Sequence, residues 1–386
     1  MPDPRDIHNG WEIPSEGYCD QPYVVEMHDG AWLCVMTTGR GEEGRAGQHI
    51  VAIRSGDHGR SWTEAVDIEP ADGPEASWVM PLIVPSGRVY AFYTYNADNL
   101  REVVDERGYN INRVDTLGHY CFKYSDDHGR SWSARHTIPI RATDIDRRNP
   151  YGGKVRLFWG VGKPILDRGE MFFGFAKVGR FGEGFMAESE SWFIRSPNIA
   201  TEPEPAKIQF DLLPDGDFGL KSPEGLIAEE ANLVALSDGS LFCTYRTVAG
   251  SPCHAYSRDR GRTWTPPAFM TYYPGGPRVA HPRAANFVRK LRDGRFIYWF
   301  HNHNGRGYEG RNPAWLLGGV ERDSADGRVI YWGRPQVVLY DVDRDTRMSY
   351  PDFIDEGDKL YVTETQKTIA RVHEVDPAVL ETLWRD

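Results

Sequence analysis

Basic and aromatic side chains stand near the starts of several short apolar runs, where they could meet in one pocket. The segments are GPEASWVMP, RRNPYGGKVRLFWGVGKP and VAHPRAAN, and they contain Trp78, Trp159, Lys163, His281 and Arg283. Arg, Lys and His in one place would make a basic pocket that suits a uronate. Trp faces would offer apolar area to the C–H faces of sugar rings. Packing between strands is the alternative role for the two Trp residues.

Two further histidines raise the question of a metal site. His301 and His303 alternate in HNHNGRGYEGR, but no third ligand accompanies them. The sequence therefore predicts no metal site and no cofactor, and it leaves a structural cation in a central channel open.

The charge balance narrows the class of partner. The chain has 386 residues, and 45 Lys and Arg against 56 Asp and Glu give a formal net charge of −11. A general binder of nucleic acid or of anionic membranes would carry a basic face. We predict neither of these partners and expect an oligosaccharide or polysaccharide that contains an acidic sugar.

The N-terminus and the cysteines bear on the compartment. The opening MPDPRDIHNGWEIP is not a signal peptide, and no apolar stretch approaches the length of a membrane span. The five cysteines include no close pair of the C-x-x-C type, and an odd number cannot all pair within the chain. We expect reduced, buried cysteines in a cytoplasmic protein, or in a secreted or periplasmic protein if a leader was removed.

One turn pattern is written three times. It reads SGDHGRSW from Ser55, SDDHGRSW from Ser125 and SRDRGRTW from Ser257. An Asp in such a turn accepts backbone N–H bonds, and the Gly takes a backbone conformation that other residues avoid. We interpret the pattern as a structural turn between the third and fourth strands of a repeated sheet, with the Trp packed beneath it.

A second marker, a Gly-containing turn followed by an apolar run, predicts hairpins. It occurs six times, in HDGAWLCVM, PSGRVYAFY, DRGEMFFGF, SDGSLFCTY, RDGRFIYWF and DEGDKLYVT. Six hairpins, each extended by further strands, predict an all-β, six-bladed β-propeller. We expect one domain over residues 1–386, with an N-terminal strand near Asp6 to Ile13 that closes the last blade. Seven blades are the alternative, because 82 residues separate the second and third hairpins.

The repeated turn is the Asp-box, or BNR, motif, and three copies at blade spacing resemble the sialidase (neuraminidase) superfamily. Further matches extend the resemblance over nearly the whole chain. EEANLVALSDGSLFCTYR offers Glu230 and Arg246, GRNPAWLLGGVERDSADG offers Arg311, and MSYPDFIDEGDKLYVTETQ offers Tyr350 and Glu364. The resemblance implies that the Arg residues hold a substrate carboxylate. It also implies that Tyr350 is the nucleophile, that Glu230 activates it and that Glu364 supports the first Arg of the family's triad.

The residue types suit that chemistry. The planar guanidinium of Arg matches a carboxylate with two parallel hydrogen bonds. A neutral Tyr suits attack beside a carboxylated anomeric carbon, where an anionic nucleophile would be repelled. The alternative roles are structural: Arg246 and Arg311 in salt bridges with Glu364 as a partner, and Tyr350 in the core.

The sequence departs from the family at the first blade. Asp20 stands where the family has the first Arg of its triad, followed by Gln21, and the loop that supplies an acidic Asp reads TTGRGEEGRAGQH. That loop contains Glu42, Glu43, Gln48 and His49 but no Asp. Its Gly-Gln-His end is similar to a branch of the superfamily that cleaves rhamnose linked to glucuronate. There His49 would be a general base or acid, and a surface loop histidine is the alternative.

We therefore expect an enzyme that cleaves a terminal glycosidic bond at or next to an acidic sugar, and we favour a uronate lyase. In the lyase, Arg246, Arg311 and Arg283 would neutralise the uronate, and His49 or Tyr350 would remove the C5 proton. The first alternative is a sialidase-type hydrolase with Tyr350 and Glu230 as its nucleophilic pair. The second is a non-catalytic glycan-binding propeller.

Overall fold

The computed structural model describes residues 3–183 and 185–385, and their strands form six antiparallel sheets of four or five strands and one small hairpin. The six sheets are the blades of a β-propeller, which confirms the predicted fold. The alternative of seven blades is wrong. The long gap after the second hairpin contains a two-stranded ribbon, the outer strands of blade 2 and a short helix rather than a further blade.

Blade 1 takes its four strands in sequence order, after a short first strand that pairs elsewhere. Its inner strands are apolar on both faces because they are covered by the neighbouring blades. The short first strand is β1 (Trp11–Ile13). The four strands of blade 1 are β2 (Tyr18–Glu26), β3 (Trp32–Gly39), β4 (His49–Ser55) and β5 (Val66–Glu69).

Blade 2 contains an insertion between its second and third strands. The insertion carries the isolated two-stranded ribbon and runs over the end of the propeller where the inner strands begin. The strands are β6 (Ala76–Ile83), β7 (Val89–Tyr95), the ribbon β8 (Val103–Val104) and β9 (Asn110–Ile111), β10 (His119–Ser125) and β11 (His136–Thr137).

Blade 3 follows a one-turn helix and has the longest strands of the fold. The elements are α1 (Asp144–Arg148), β12 (Phe158–Trp159), β13 (Ile165–Asp167), β14 (Glu170–Phe181), β15 (Met186–Ser196) and β16 (Asp211–Leu213).

Blades 4 and 5 are again built in sequence order. Blade 4 comprises β17 (Glu229–Ala235), β18 (Leu241–Arg246), β19 (Cys253–Ser257) and β20 (Ala268–Phe269). Blade 5 comprises β21 (Phe287–Lys290), β22 (Phe296–Phe300), β23 (Ala314–Ser324), β24 (Gly327–Trp332) and β25 (Gln336–Leu339).

Blade 6 combines the two ends of the chain in one sheet. β1 pairs with the last strand, with Trp11 opposite Val372 and Ile13 opposite Ala370. The remaining elements are β26 (Ser349–Asp355), β27 (Leu360–Thr365), β28 (Ala370–Glu374) and the C-terminal helix α2 (Pro377–Thr382).

The three Asp-boxes lie between the third and fourth strands of blades 1, 2 and 4. In the second box, Asp127 accepts hydrogen bonds from the backbone N–H of Ser131 at 2.9 Å and from its hydroxyl at 2.6 Å. Gly129 has a φ of +79° and donates its N–H to the hydroxyl of Ser125 at 2.8 Å. The other boxes repeat these bonds, so the box is a structural turn, as its sequence predicts.

Four inner strands share a distortion that directs side chains towards the propeller axis. The register of β2, β6, β17 and β26 shifts at one point each, as in a β-bulge. At that point each strand holds a non-glycine residue with positive φ: Gln21 at 54°, Trp78 at 61°, Glu230 at 59° and Tyr350 at 49°. Such backbone conformations are costly and tend to occur at functional sites.

Candidate active site

A pocket of about 170 Å³ lies on the propeller axis, at the end where the inner strands begin. Its lining is basic and aromatic with a single carboxylate. The lining residues are Glu43, Arg113, Trp159, Phe185, Arg246, Tyr308, Arg311, Arg347, Tyr350 and Lys367.

Tyr350 and Glu230 form the centre of the site. The Tyr350 hydroxyl donates a hydrogen bond of 2.8 Å to Oε1 of Glu230, and the same oxygen accepts from Nε1 of Trp159 at 3.1 Å. Burial raises the pKa of Tyr350 well above its usual value, and the negative charge of Glu230 raises it further. The phenol is therefore neutral at rest, and its hydrogen bond already points along the path by which Glu230 would take the proton.

Arg246, at the end of β18, is fixed beneath this pair. Its Nε lies 2.9 Å from Glu229 and its Nη1 lies 2.8 Å from Glu230. Burial alone would lower the pKa of Arg246, but the two carboxylates raise it well above its usual value. Its Nη2 is buried and has no hydrogen-bond partner among the described residues. Arg283 supports Glu229 from behind at 2.8 Å and does not line the pocket.

Arg311 is a buried cation without a carboxylate partner. It donates from Nε to the carbonyl of Tyr308 at 3.0 Å and from Nη1 to the hydroxyl of Ser349 at 2.6 Å. Within residues 3–183 and 185–385, no Asp or Glu oxygen lies within 4 Å of it. Burial lowers the pKa of its guanidinium. A buried charge of this kind is stabilised by an anionic ligand.

Lys367 places a cation beside Asp20, the residue that stands where the sialidase superfamily has an Arg. Its Nζ pairs with Asp20, lies 3.0 Å from Glu43 and lies 4.6 Å from the ring centroid of Tyr350. Burial raises the pKa of Asp20 to about 6 despite the opposing effect of Lys367. The backbone of Lys367 has a φ of +74°, and its carbonyl accepts from the N–H of Cys19 at 2.8 Å. The lysine is thus held against blade 1.

Arg113 enters the pocket from the blade 2 insertion. It lies 3.1 Å from Glu43 and 2.9 Å from Asp115, and its guanidinium carbon is 4.8 Å from the ring centroid of Trp159. Burial would raise the pKa of Glu43, but Lys367 and Arg113 lower it to about 2. Glu43 is therefore ionised in the free protein.

The two tryptophans predicted to face sugar have different positions. Trp159 lines the pocket. Trp78 is fully buried behind it, with ring centroids 4.2 Å apart, and donates its indole N–H to the carbonyl of Asp115 at 3.1 Å. Trp78 thus supports both Trp159 and the insertion that carries Arg113.

Of the residues predicted from the loop after β3, Glu43 lines the pocket, whereas Gln48 and His49 do not. His49 opens β4 and is buried, with its Nε2 3.7 Å from both Glu16 and Asp67. It is therefore not a surface histidine. Gln48 accepts the N–H of Gly44 at 2.8 Å and donates to Ser77 at 2.8 Å, so it fixes the loop that carries Glu43.

Four further predicted residues lie away from the pocket lining. Lys163 lies at the opposite mouth of the channel, 2.5 Å from Asp352. His281 stacks on His301 within blade 5. Glu364 faces His373 at 3.4 Å. Gln21 is fully buried, and neither atom of its amide has a partner among the described residues.

The sequence did not single out Arg113, Phe185, Tyr308, Arg347 or Lys367. Arg113 and Lys367 lie in connecting segments rather than at the starts of inner strands. In the sequence, each of the two is only a basic residue in a segment that follows an inner hairpin. Many surface residues fit that description, so the pattern does not single these two out.

No group of three or more His, Cys, Asp or Glu residues within residues 3–183 and 185–385 has a geometry suited to a metal ion. The five cysteines are all free and buried, as predicted. No helix in the described part of the chain is long and apolar enough to span a membrane.

Comparison with known proteins supports the fold. The BNR/Asp-box repeat family matches residues 123–134, which include the whole of the second box. No curated protein matches the chain. The intramolecular trans-sialidase of Ruminococcus gnavus is similar in structure, with 14% identity over 99% of each chain and a TM-score of 0.66.

Two other solved structures are similar over most of their length. The intramolecular trans-sialidase of the leech is 13% identical, with 95% of this chain and 70% of that chain covered and a TM-score of 0.66. A protein of unknown function from Dyadobacter fermentans is 13% identical, with 95% and 97% covered and a TM-score of 0.63. The chain thus has the sialidase-like propeller fold with Asp-box repeats.

Proposed function

We propose that the protein is a glycoside hydrolase that releases a terminal sugar bearing one carboxylate. The observation that carries this proposal is the Tyr350–Glu230 hydrogen bond beside the buried, unpaired guanidinium of Arg311. A non-catalytic propeller has no use for a buried phenol bonded to a buried carboxylate at the base of a cationic pocket. The structural neighbours named as sialidases are consistent with this reaction type.

The charges around the pocket favour an anionic ligand. Arg311 and Arg347 have no acidic partner within 4 Å among the described residues. Burial also raises the pKa of Asp20 to about 6 and that of Asp115 to about 7, so these two carboxylates offset less positive charge near neutral pH. The cations are Arg113, Arg246, Arg283, Arg311, Arg347 and Lys367, and the carboxylates are Asp20, Glu43, Asp115, Glu229 and Glu230. A ligand carboxylate, bound by Arg311 and the free Nη2 of Arg246, would offset part of this excess of positive charge.

The size of the pocket favours cleavage at a chain end. Its volume of about 170 Å³ lies below the roughly 300–1,000 Å³ of sites for larger ligands. Trp159, Phe185 and Tyr308 supply apolar surfaces to one sugar ring. The rest of the glycan extends out of the propeller.

The proposed reaction has two steps. The Tyr350 oxygen attacks the anomeric carbon and its proton passes to Glu230 while the bond to the leaving oxygen breaks. The leaving oxygen takes a proton from Glu43, the one carboxylate lining the pocket in the described part of the chain. Water then attacks the anomeric carbon and gives a proton to Glu43, while the Tyr350 oxygen leaves and takes its proton back from Glu230. Glu43 is ionised at rest, and the negative charge of the bound substrate raises its pKa, so that Glu43 takes up from solvent the proton that it gives to the leaving oxygen.

The uronate lyase that the sequence favoured loses one of its two candidate bases, because His49 does not line the pocket. Product analysis separates the alternatives. We would incubate the protein with sialyl-lactose, with a rhamnosyl-glucuronate oligosaccharide and with aryl glycosides of acidic sugars. Release of a free acidic sugar without an unsaturated product would support hydrolysis. An unsaturated uronate would establish the lyase instead, and absence of any cleavage across a broad acidic-glycan panel would favour a binding protein.

A further inference from the structure

A second cleft lies on the outer rim of blade 5 and shares no residue with the axial pocket. It has a volume of about 460 Å³ and lies between the outer strands β23 and β24, the Tyr272–Tyr273 turn and the C-terminal segment. Its size exceeds that of the axial pocket, and nothing in the proposed reaction uses it.

Two exposed tyrosines in this cleft present nearly parallel rings. The ring centroids of Tyr273 and Tyr331 are 6.2 Å apart with an angle of 16° between the planes. Both residues are exposed to solvent, Tyr273 to 47% and Tyr331 to 38%. The parts of this stacked pair that remain exposed offer apolar area to the C–H face of a sugar ring.

The turn that carries Tyr273 is fixed before any ligand binds. The carbonyl of Tyr272 accepts a hydrogen bond of 2.7 Å from the N–H of Trp332, the residue after Tyr331. The ring of Tyr273 packs over Gly276, where an added Cβ would lie only 2.7 Å from the ring. A fixed aromatic surface loses little conformational entropy when it binds a ligand.

All the charged residues that line the cleft are basic. They are Arg322, Arg334 and Arg385. Of these, Arg385 pairs with Glu381 at 3.3 Å, whereas Arg322 and Arg334 have no carboxylate within 4 Å in residues 3–183 and 185–385. Unpaired guanidinium groups beside aromatic faces, in a chain with a net charge of −11, select a ligand that is both ring-shaped and anionic.

We propose that this blade 5 cleft is a second glycan-binding site that takes an acidic polysaccharide, with Tyr273 and Tyr331 stacking on its rings and Arg322 and Arg334 contacting its carboxylates. The site holds the polymer on the rim of the propeller independently of the reaction at the axis.

The test uses the full chain with the axial pocket disabled by the double substitution Arg311→Met and Tyr350→Phe. Affinity electrophoresis would be run in gels containing polygalacturonate, hyaluronate or polysialate, with neutral dextran as the reference. We expect retardation by at least one acidic polymer and none by dextran. Adding Tyr273→Ala and Tyr331→Ala should weaken binding at least about tenfold, whereas Tyr109→Ala, at a tyrosine that is 65% exposed elsewhere, should leave it unchanged.

Several outcomes would overturn the proposal. These are an absence of retardation by all three acidic polymers, equal binding after removal of both tyrosines, or binding that responds only to Arg322→Gln and Arg334→Gln, as simple charge attraction would. Self-association lost on Tyr273→Ala and Tyr331→Ala, measured by sedimentation velocity, would show that the cleft binds a second copy of the chain. Because the axial pocket is disabled in every sample, none of these results depends on the proposed hydrolase activity.

Discussion

Tyr350 and Glu230 lie 120 residues apart in the chain, yet the hydroxyl of one donates a 2.8 Å hydrogen bond to the carboxylate of the other. Both sit at the bulge of an inner strand and both have positive φ. Blades 4 and 6 therefore bring one phenol and one carboxylate into contact at a single point. This relationship connects the fold to the proposed chemistry.

Tyr350→Phe should reduce kcat by about 1,000-fold or more, because it removes the attacking oxygen. Glu230 keeps its bonds to Arg246 and Trp159, so the free energy of unfolding should change by only about 1 kcal/mol. Steady-state kinetics and urea denaturation measure the two effects, with the exposed Tyr109→Phe as the matched control. A variant that keeps most of its kcat would remove Tyr350 from the reaction.

Arg311→Met should raise KM for an acidic substrate by roughly 100-fold, the effect of losing about 2–3 kcal/mol of charge-assisted hydrogen bonding. The same variant should unfold no more easily than the parent protein, because it removes a buried charge that has no carboxylate partner. Kinetics on the methyl ester of the same substrate provide the control, since the ester has no carboxylate to lose. An equal rise in KM for acid and ester would contradict the assigned role.

Glu43→Gln should separate substrates by their leaving groups. A sugar leaving group needs a proton, so its rate should fall by about 100- to 10,000-fold, whereas an aryl glycoside with an acidic phenol should be much less affected. The ratio of kcat/KM for the two substrates measures the effect. An equal loss with both leaving groups would mean that Glu43 only holds Lys367 and Arg113 in place.

Lys367→Met should destabilise the fold in a pH-dependent way. Without the lysine, the Asp20 carboxylate is buried without its cation, a loss of about 3–5 kcal/mol for a broken buried pair. Asp20 has a pKa of about 6, above its usual value, so the native state binds its proton more tightly than the unfolded state. The penalty should therefore be small below pH 6 and should grow as the pH rises above it.

Adding Asp20→Asn to Lys367→Met should recover most of that stability, because no carboxylate is then left buried at position 20 without its cation. Urea denaturation of the two single variants and the double variant over a series of pH values completes the cycle. Additive losses at high pH would show that the two residues are not coupled.

Asp127→Ala should lower the stability of blade 2 without changing kcat of the folded enzyme. The substitution removes hydrogen bonds from the backbone and hydroxyl of Ser131, a loss of about 1–3 kcal/mol. Thermal unfolding measures the effect, and Asp72→Ala, at an exposed aspartate outside the boxes, is the control. A lower kcat under conditions in which the variant is fully folded would show that the Asp-box contributes to activity as well as to stability.

The sequence was sufficient for the features that depend on neighbouring residues. Turn glycines and the apolar runs that follow them predicted the hairpins, and the resemblance to the sialidase superfamily placed Glu230 and Arg246 on neighbouring strands of one blade. The contact between Arg113 and Glu43 could not be predicted in this way. The two residues are 70 positions apart and belong to connecting segments of different blades, whose paths depend on tertiary packing.

His49 shows why the position of a residue near the end of a loop does not predict whether its side chain lines the pocket. Side chains of a strand alternate between its faces. His49 therefore shares a face of β4 with Val51 and Ile53, which pack against Tyr361 and Val372 of blade 6. Lys367 shows the reverse case, since its unusual backbone conformation directs it towards Asp20 and Tyr350.

The pairing of β1 with β28 has a consequence for how the ring assembles. Blade 6 is complete only when Trp11 and Val372 meet, and until then β28 is an unpaired edge and the circle of blades is open. Ring closure therefore joins parts of the sequence that are more than 350 residues apart, Trp11 and Val372. The order of the blades around the axis does not depend on where the chain is cut. A circular permutant that links the present termini and opens at the exposed Asp358 turn should thus build the same ring from a different starting blade.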